Sequence, residues 1–448
     1  MTAPPPRIEQ LKRAHAAGLI DQDTYDAAVA ALAAPTGSCA IAQGPEALAV
    51  GAGGVAVQGD NTGTINLGLL IQQGTQPGAS PATLTRAYLA RILTQANQLP
   101  LFVGDGANAQ VRLSAVYTAL LIQGGSVEAA PDGGRSLERP DRHPSALDAL
   151  NTASRLVLLG GPGSGKSTFV NFVALSLAGE LLKVPGPNLE TLTAPLPNED
   201  GDDKAQAPQR WDHGPLLPVP VVLRDLASQL PPPGIPVNAE TLWRFLQGRL
   251  KQAALEDFAP VLKQRLLDQG GLILLDGLDE VPDAHERRAQ IKQAVQDFAA
   301  SFSRCRFLVT SRTYAYQRQE WQLDGFTQTH LLPLRTGQIK GFVDAWYAHM
   351  VELLRLTPAA ARDRAEVLIR TVERNERIRE LAERPLLLTL IAQLQTYGSC
   401  AAARGSTIES SRAVPIASGI NPATGTSTWR SVSCCVLPLF LQLRPLSL

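Results

Sequence analysis

The stretch that decides the fold runs Arg155-Leu156-Val157-Leu158-Leu159-Gly160-Gly161-Pro162-Gly163-Ser164-Gly165-Lys166-Ser167-Thr168. Leu156–Leu159 is a short continuous apolar run of the kind a buried strand needs. Residues from Lys166 to about Ala178 continue with the spacing of a helix. Between them, Gly160 to Ser167 fits G-x-x-x-x-G-K-[ST], the phosphate-binding P-loop, in the strand-to-helix context that this motif requires. The glycines let successive backbone N–H groups turn inward as an anion nest, and the helix N-terminus adds positive potential. Lys166 is then placed to reach the β- and γ-phosphates of a nucleoside triphosphate, the Ser167 hydroxyl to ligate Mg²⁺, and Thr168 to lie near the α-phosphate. At average composition a chance match somewhere in a chain of this length has a probability of about 1–2%.

A second strand, Leu272-Ile273-Leu274-Leu275, ends in Asp276-Gly277-Leu278-Asp279-Glu280. A buried strand cannot carry a carboxylate, so the acid emerges at its C-terminal end, where ligands bind in open α/β sheets. Asp276 is the expected Mg²⁺ ligand, directly or through water. Asp279 and Glu280 follow three and four residues later, where either could orient a water on the γ-phosphate or instead cap the next helix. A third apolar strand ends Leu308-Val309-Thr310-Ser311-Arg312, and an arginine there is either a γ-phosphate contact or a surface residue.

Working outward, Val219–Leu223, Leu272–Leu275 and Arg306–Val309 alternate with helical stretches at 239–269 and 284–302. This alternation predicts a mostly parallel sheet with helices on both faces, an α/β fold. The boundaries read as a helical hairpin over 1–35, a Gly-rich linker over 36–80 and a helical region over 81–145. An α/β nucleotide-binding domain follows over 146–335, then a helical subdomain over 336–396 and an aberrant Ser/Thr/Gly-rich tail over 397–448. Within the linker, Val55/Val57 and Ile65/Leu67 alternate as a hairpin would. Residues 81–123 read as helical on both sides of Pro100, and Pro-rich 183–217 reads as a long exposed loop.

Composition narrows the class. The chain has 448 residues, 44% of them hydrophobic, and 41 basic against 41 acidic side chains. Zero net charge gives no global field for nucleic acid or an anionic membrane. Five cysteines, at 39, 305, 400, 434 and 435, offer neither a disulfide framework nor zinc spacing. The N-terminus lacks the apolar core of a secretory signal, and Cys434–Leu443 is too short to span a bilayer. These features together lead to the expectation of a cytoplasmic protein with reduced thiols.

The three strand ends, Gly160–Thr168, Leu274–Glu280 and Thr310–Arg312, together resemble a NACHT-family P-loop NTPase of the STAND class. The small Gly277 directly after Asp276, with paired acids shortly after, is the most specific part of the likeness. Val221–Leu226, Leu332-Pro333-Leu334 with Gln338, Ile339 and Phe342, and Arg384-Pro385-Leu386-Leu387-Leu388 are similar to later segments of that family. Residues 88–123 and 145–180 resemble, within it, bacterial NACHT proteins implicated in antiphage defence. The resemblance covers roughly 81–396. It implies that Pro385 packs on the adenine and that Arg312 reports the γ-phosphate. It also implies an ATP/ADP-controlled, Mg²⁺-dependent signalling switch with slow hydrolysis that self-associates when ATP-bound, in response to a trigger that the sequence does not identify. Two alternatives stay open: a constitutive P-loop ATPase or kinase-like enzyme, and a nucleotide-binding chain without signalling activity. The family pattern stops near Thr396, and the tail beyond it reads as a frameshifted or truncated end lacking the family's winged-helix domain.

Overall fold

The computed structural model describes residues 67–76, 78–99, 111–124, 143–197, 207–232, 234–281, 285–318, 322–354 and 356–396, the side chains of 285 and 286 excepted. The chain divides into two compact units, Met1–Leu70 and Ile71–Leu448. Of the first unit only 67–70 are described, at the start of the helix Leu67–Gly74. The expected hairpin of 1–35, the Val55/Val57 strand and the tail from 397 all lie outside the described residues. Leu67 belongs to a helix, not to the strand that its alternation with Ile65 suggested, because Leu-Gly-Leu-Leu-Ile-Gln-Gln is rich in good helix formers.

In the second unit, five strands form one all-parallel sheet: β1 (Arg155–Leu159), β2 (Pro218–Val222), β3 (Leu272–Asp276), β4 (Arg306–Ser311) and β5 (Thr327–His330). Their spatial order is β2-β3-β4-β1-β5. The three central strands are almost wholly buried, which is why they read as unbroken apolar runs. Pro218 and Pro220 lie in β2, an edge strand, where a missing N–H costs no ladder bond. The other edge, Thr-Gln-Thr-His of β5, is polar and short and left no strand signal in the sequence. Beyond it, Ile122 forms an antiparallel bridge with Leu331, and the Gln123 N–H donates to the His330 carbonyl at 2.9 Å.

Ten helices matter to the site: α1 (Pro81–Ala96), α2 (Ala146–Thr152), α3 (Lys166–Leu182), α4 (Ala239–Gln252), α5 (Phe258–Asp268), α6 (His285–Ser301), α7 (Thr336–Leu354), α8 (Pro358–Arg374), α9 (Glu376–Ala382) and α10 (residues 385–396). Ser80 caps α1, accepting from the Thr83 N–H ahead of Pro81. Its apolar face, including Leu84, Leu89, Ile92 and Leu93, packs against α3. Helix α3 is apolar nearly all round because α1 covers one side and the sheet the other. The expected helix over 239–269 is two helices, interrupted near Ala254, a non-glycine residue at φ +55°.

Two expectations change. Among the described residues from 111 to 124 there is a single helical turn, Leu113–Val116, and Ile122 and Gln123 then bond along the sheet edge. Residues 183–217 are not one exposed loop: Leu192, Leu196 and Leu217 are buried, and Asn188 caps a short helix Leu189–Leu192. Residues 198–206, which hold the acidic cluster, are outside the described set. Downstream, α7 is tied back to the earlier chain: Gln338 Nε2 donates to the Ala119 carbonyl (2.6 Å), and His349 Nε2 accepts from the Arg112 N–H (3.2 Å). Just ahead of α7, the Leu334 N–H donates to the Glu383 carbonyl (2.8 Å). Trp346 and Tyr347 of α7 donate to Thr396 and Gln395 of α10, both at 3.1 Å. Among the described residues no helix is long and apolar enough to cross a membrane.

Candidate functional site

The C-terminal ends of β1, β3 and β4 converge because β4 lies between the other two. The register pairs Leu275 with Val309, so one step further Asp276 comes level with Thr310. The loop after β1, the acid after β3 and the arginine after β4 therefore meet on one side of the sheet.

There they line a cavity of about 480 Å³, within the usual range of small-molecule pockets. Its lining combines polar groups, from 162–168, Asp276, Asp279, Glu280, Thr310 and Arg312, with apolar ones, Val116, Tyr117, Leu120, Leu334, Phe342 and Pro385. Of the residues singled out in sequence, Pro162 to Thr168, Asp276, Asp279, Glu280, Arg312 and Pro385 all lie on this one cavity. Gly160 and Gly161 sit just behind it, with the Lys166 Nζ donating to their carbonyls at 2.7 and 3.0 Å.

Each polar group has a definite local setting. Lys166 is part-buried, and desolvation lowers its ammonium pKa. Asp279 opposes that shift, Arg312 adds to it, and Asp276 and Glu280 oppose it more weakly. The Thr310 hydroxyl donates to Asp276 Oδ1 and accepts from the Gly277 N–H at 2.9 Å. Asp276 Oδ2 has no hydrogen-bond partner among the described residues. Gly277 sits at φ +79°, the left-handed turn that carries the chain from β3 into the short helical turn Leu278–Glu280. In that turn Asp279 points back: its Oδ1 accepts the Arg312 N–H at 3.0 Å, and its Oδ2 lies 2.9 Å from Arg312 Nε. Glu280 is exposed and pairs loosely with Arg224 at 3.7 Å.

The resemblance implies a Mg²⁺ ion. Ser167 and Asp276 present a hydroxyl and a carboxylate oxygen to the same cavity, the hard-oxygen donors that this ion takes, and Asp276 keeps one oxygen out of internal bonds. The donor set fits. Among the described residues no group of three or more His, Cys, Asp or Glu could hold a metal unaided. Mg²⁺ bound through one or two protein groups plus phosphates needs no such cage.

Two parts of the site escaped the sequence reading. In the sequence Thr310 stands out only as a neighbour of Arg312; its signal is a hydroxyl at the end of an otherwise apolar strand. The apolar wall from Val116, Tyr117 and Leu120 lies some forty residues ahead of the glycine loop with no motif of its own. Tyr117 stacks on Phe172 with ring centroids 3.6 Å apart, and burial raises its phenol pKa.

The fold and site define an α/β protein whose parallel sheet carries a glycine-loop, acid and arginine constellation at the ends of adjacent strands. No family model matches the sequence, and no curated protein matches it.

Proposed function

We propose that this chain binds ATP or ADP with Mg²⁺ and works as a slow, NACHT-type signalling switch. The observation that carries the reading is a cavity that brings two kinds of lining together. Its polar lining includes a P-loop motif, the Asp276 carboxylate and two cations, Lys166 and Arg312, suited to a polyphosphate. Its apolar lining, with Tyr117, Phe342 and Pro385, offers flat contact surface suited to a base.

In this reading the backbone N–H groups of 163–168 and Lys166 hold the phosphates, exchanging Lys166's bonds to Gly160 and Gly161 for bonds to phosphate oxygens. Ser167 and Asp276 would hold Mg²⁺, whose contribution is to neutralise charge on the β- and γ-phosphates. Thr310 keeps the Asp276 carboxylate in one orientation. Glu280 has the exposure and freedom to orient a water, and no carboxylate sits directly beside Asp276, because position 277 is glycine. Hydrolysis is accordingly slow, and the bound nucleotide sets the state for as long as it remains.

The switch itself has a physical route. Pro385 and Leu386 at the start of α10 sit on the glycine loop, so a change of nucleotide acts directly on the 336–396 helices. Self-association in the ATP form, a role in bacterial antiphage defence and a trigger of phage origin rest on the resemblance of 81–396. Titration of the purified chain with ATP and with ADP, with and without Mg²⁺, tests the binding. Light scattering in each nucleotide tests the switch. If neither nucleotide binds, the reading fails; binding with fast turnover and no change of mass favours a constitutive ATPase.

A further inference from the structure

We propose that Asp279 is a positioning residue for Arg312, and that it sets the preference of the site for a nucleoside triphosphate over a diphosphate. Sequence alone leaves Asp279 and Glu280 as equivalent candidates for orienting water. The structure separates them. Asp279 is turned inward, its side chain 7% exposed, and grips Arg312 at two points: Oδ1 on the backbone N–H at 3.0 Å and Oδ2 beside Nε at 2.9 Å. Glu280, its side chain 43% exposed, has among the described residues only the 3.7 Å contact to Arg224.

The double contact has a clear consequence. Arg312 is the first residue after β4, and its side chain is 53% exposed. A long exposed side chain has many rotamers, and fixing it for a ligand costs entropy at the moment of binding. Asp279 meets that cost in advance by holding the backbone and the inner edge of the guanidinium. The ion pair uses Nε, which leaves the terminal amino groups as the part directed to an incoming phosphate. A carboxylate so engaged is poorly placed to accept a proton from water, since its lone pairs already face a cation. The division of labour is therefore Asp279 on Arg312 and Glu280 on water.

This inference rests on the nucleotide-site reading above, and its test keeps the two apart. The full chain and its Asp279→Asn, Arg312→Gln and double variants are titrated with Mg²⁺ and either ADP or a slowly hydrolysed ATP analogue. Asparagine keeps an oxygen to accept the Arg312 N–H, but puts an amide NH2, a donor, where Oδ2 met Nε, so the grip on the guanidinium is lost. Each single variant should lower the triphosphate-over-diphosphate affinity ratio by about tenfold, the lower end of what a charged contact contributes. ADP affinity should stay within about twofold, and the double variant should fall no further, because both changes remove the same contact. A merely structural role would lower both affinities together and leave the ratio alone.

The proposal is overturned if Asp279→Asn keeps the ratio and loses only turnover, or if the effects of the two substitutions add. Should the asparagine variant fail to fold, Arg312→Lys carries the same test. Lysine keeps the charge but has no Nε, so an unchanged ratio there also overturns the proposal. Failure of the parent chain to bind either nucleotide would instead remove the site reading itself.

Discussion

The carbonyl oxygen of Gly163, inside the glycine loop, accepts a hydrogen bond from the Leu386 N–H at 3.2 Å. One bond thus joins the centre of the candidate phosphate site to the first turn of α10, more than two hundred residues later. A side chain placed on Gly165 would meet Leu120 and Pro385 at 3.3 and 3.4 Å, so the contact extends on both sides of that bond.

Gly163→Ala should disturb both the loop and its partner. Gly163 has φ +71°, and an added Cβ would lie 3.1 Å from the Leu386 Cβ. The left-handed conformation alone costs an alanine about 1–2 kcal/mol. Melting temperature and ATP affinity should therefore fall together. An alanine variant equal to the parent in both would show that this bond does not hold α10 to the loop.

Lys166→Ala should lower affinity for ATP by about 30- to 150-fold, corresponding to about 2–3 kcal/mol for a charge-assisted phosphate contact. The fold should survive, because among the described residues the Lys166 ammonium bonds only to loop oxygens of its own motif. Calorimetry on the folded variant decides it. Parental affinity would remove the phosphate-loop assignment.

Asp276→Asn should leave binding of metal-free nucleotide near the parental value and abolish the gain that Mg²⁺ brings. The amide oxygen can still accept from the Thr310 hydroxyl, so the strand end keeps its geometry while the charge is lost. Titrations with and without Mg²⁺ should then coincide. A full metal response in the variant would mean that another carboxylate is the ligand.

Thr310→Val keeps shape and volume but strips the hydroxyl from a residue that is 1% exposed. The buried Gly277 N–H loses its acceptor and Asp276 loses its donor, at a cost of about 1–3 kcal/mol for the unsatisfied amide. Thermal unfolding should shift down by several degrees, with Thr310→Ser recovering most of the loss. If serine is as unstable as valine, packing of the methyl group matters more than the bonds.

Stability should fall in alkaline solution. Burial pushes the Cys305 thiol from its ordinary 9.0 up to about 11. Between those values the unfolded chain has released a proton that the folded one retains, so stability declines as pH rises through that window. Burial raises Tyr88 and Tyr117 as well, with the same sign at higher pH. Lys166, lowered by desolvation, acts in the opposite sense. Urea midpoints at pH 8 and pH 10.5 should show the drop, and Cys305→Ala should flatten it near pH 10. An unchanged slope in that variant would locate the titration elsewhere.

Local chemistry explains what the amino-acid order alone determined. A continuous apolar run that ends at a glycine loop or an acid is legible because strand burial and strand termination are both written in neighbouring residues. So β1, β3 and β4 and the residues at their ends, Lys166, Asp276 and Arg312, could all be read without coordinates. The edge strand β5 could not, since Thr-Gln-Thr-His has no apolar alternation and pairs only because β1 is beside it. The order of the strands, with β4 between β1 and β3, is likewise a property of packing; it alone brings Thr310 onto Asp276 and Asp279 onto Arg312. The apolar lining of the cavity draws Tyr117 from a segment more than two hundred residues ahead of Phe342 and Pro385. Their meeting depends on which buried faces cover one another, and only the tertiary structure decides that.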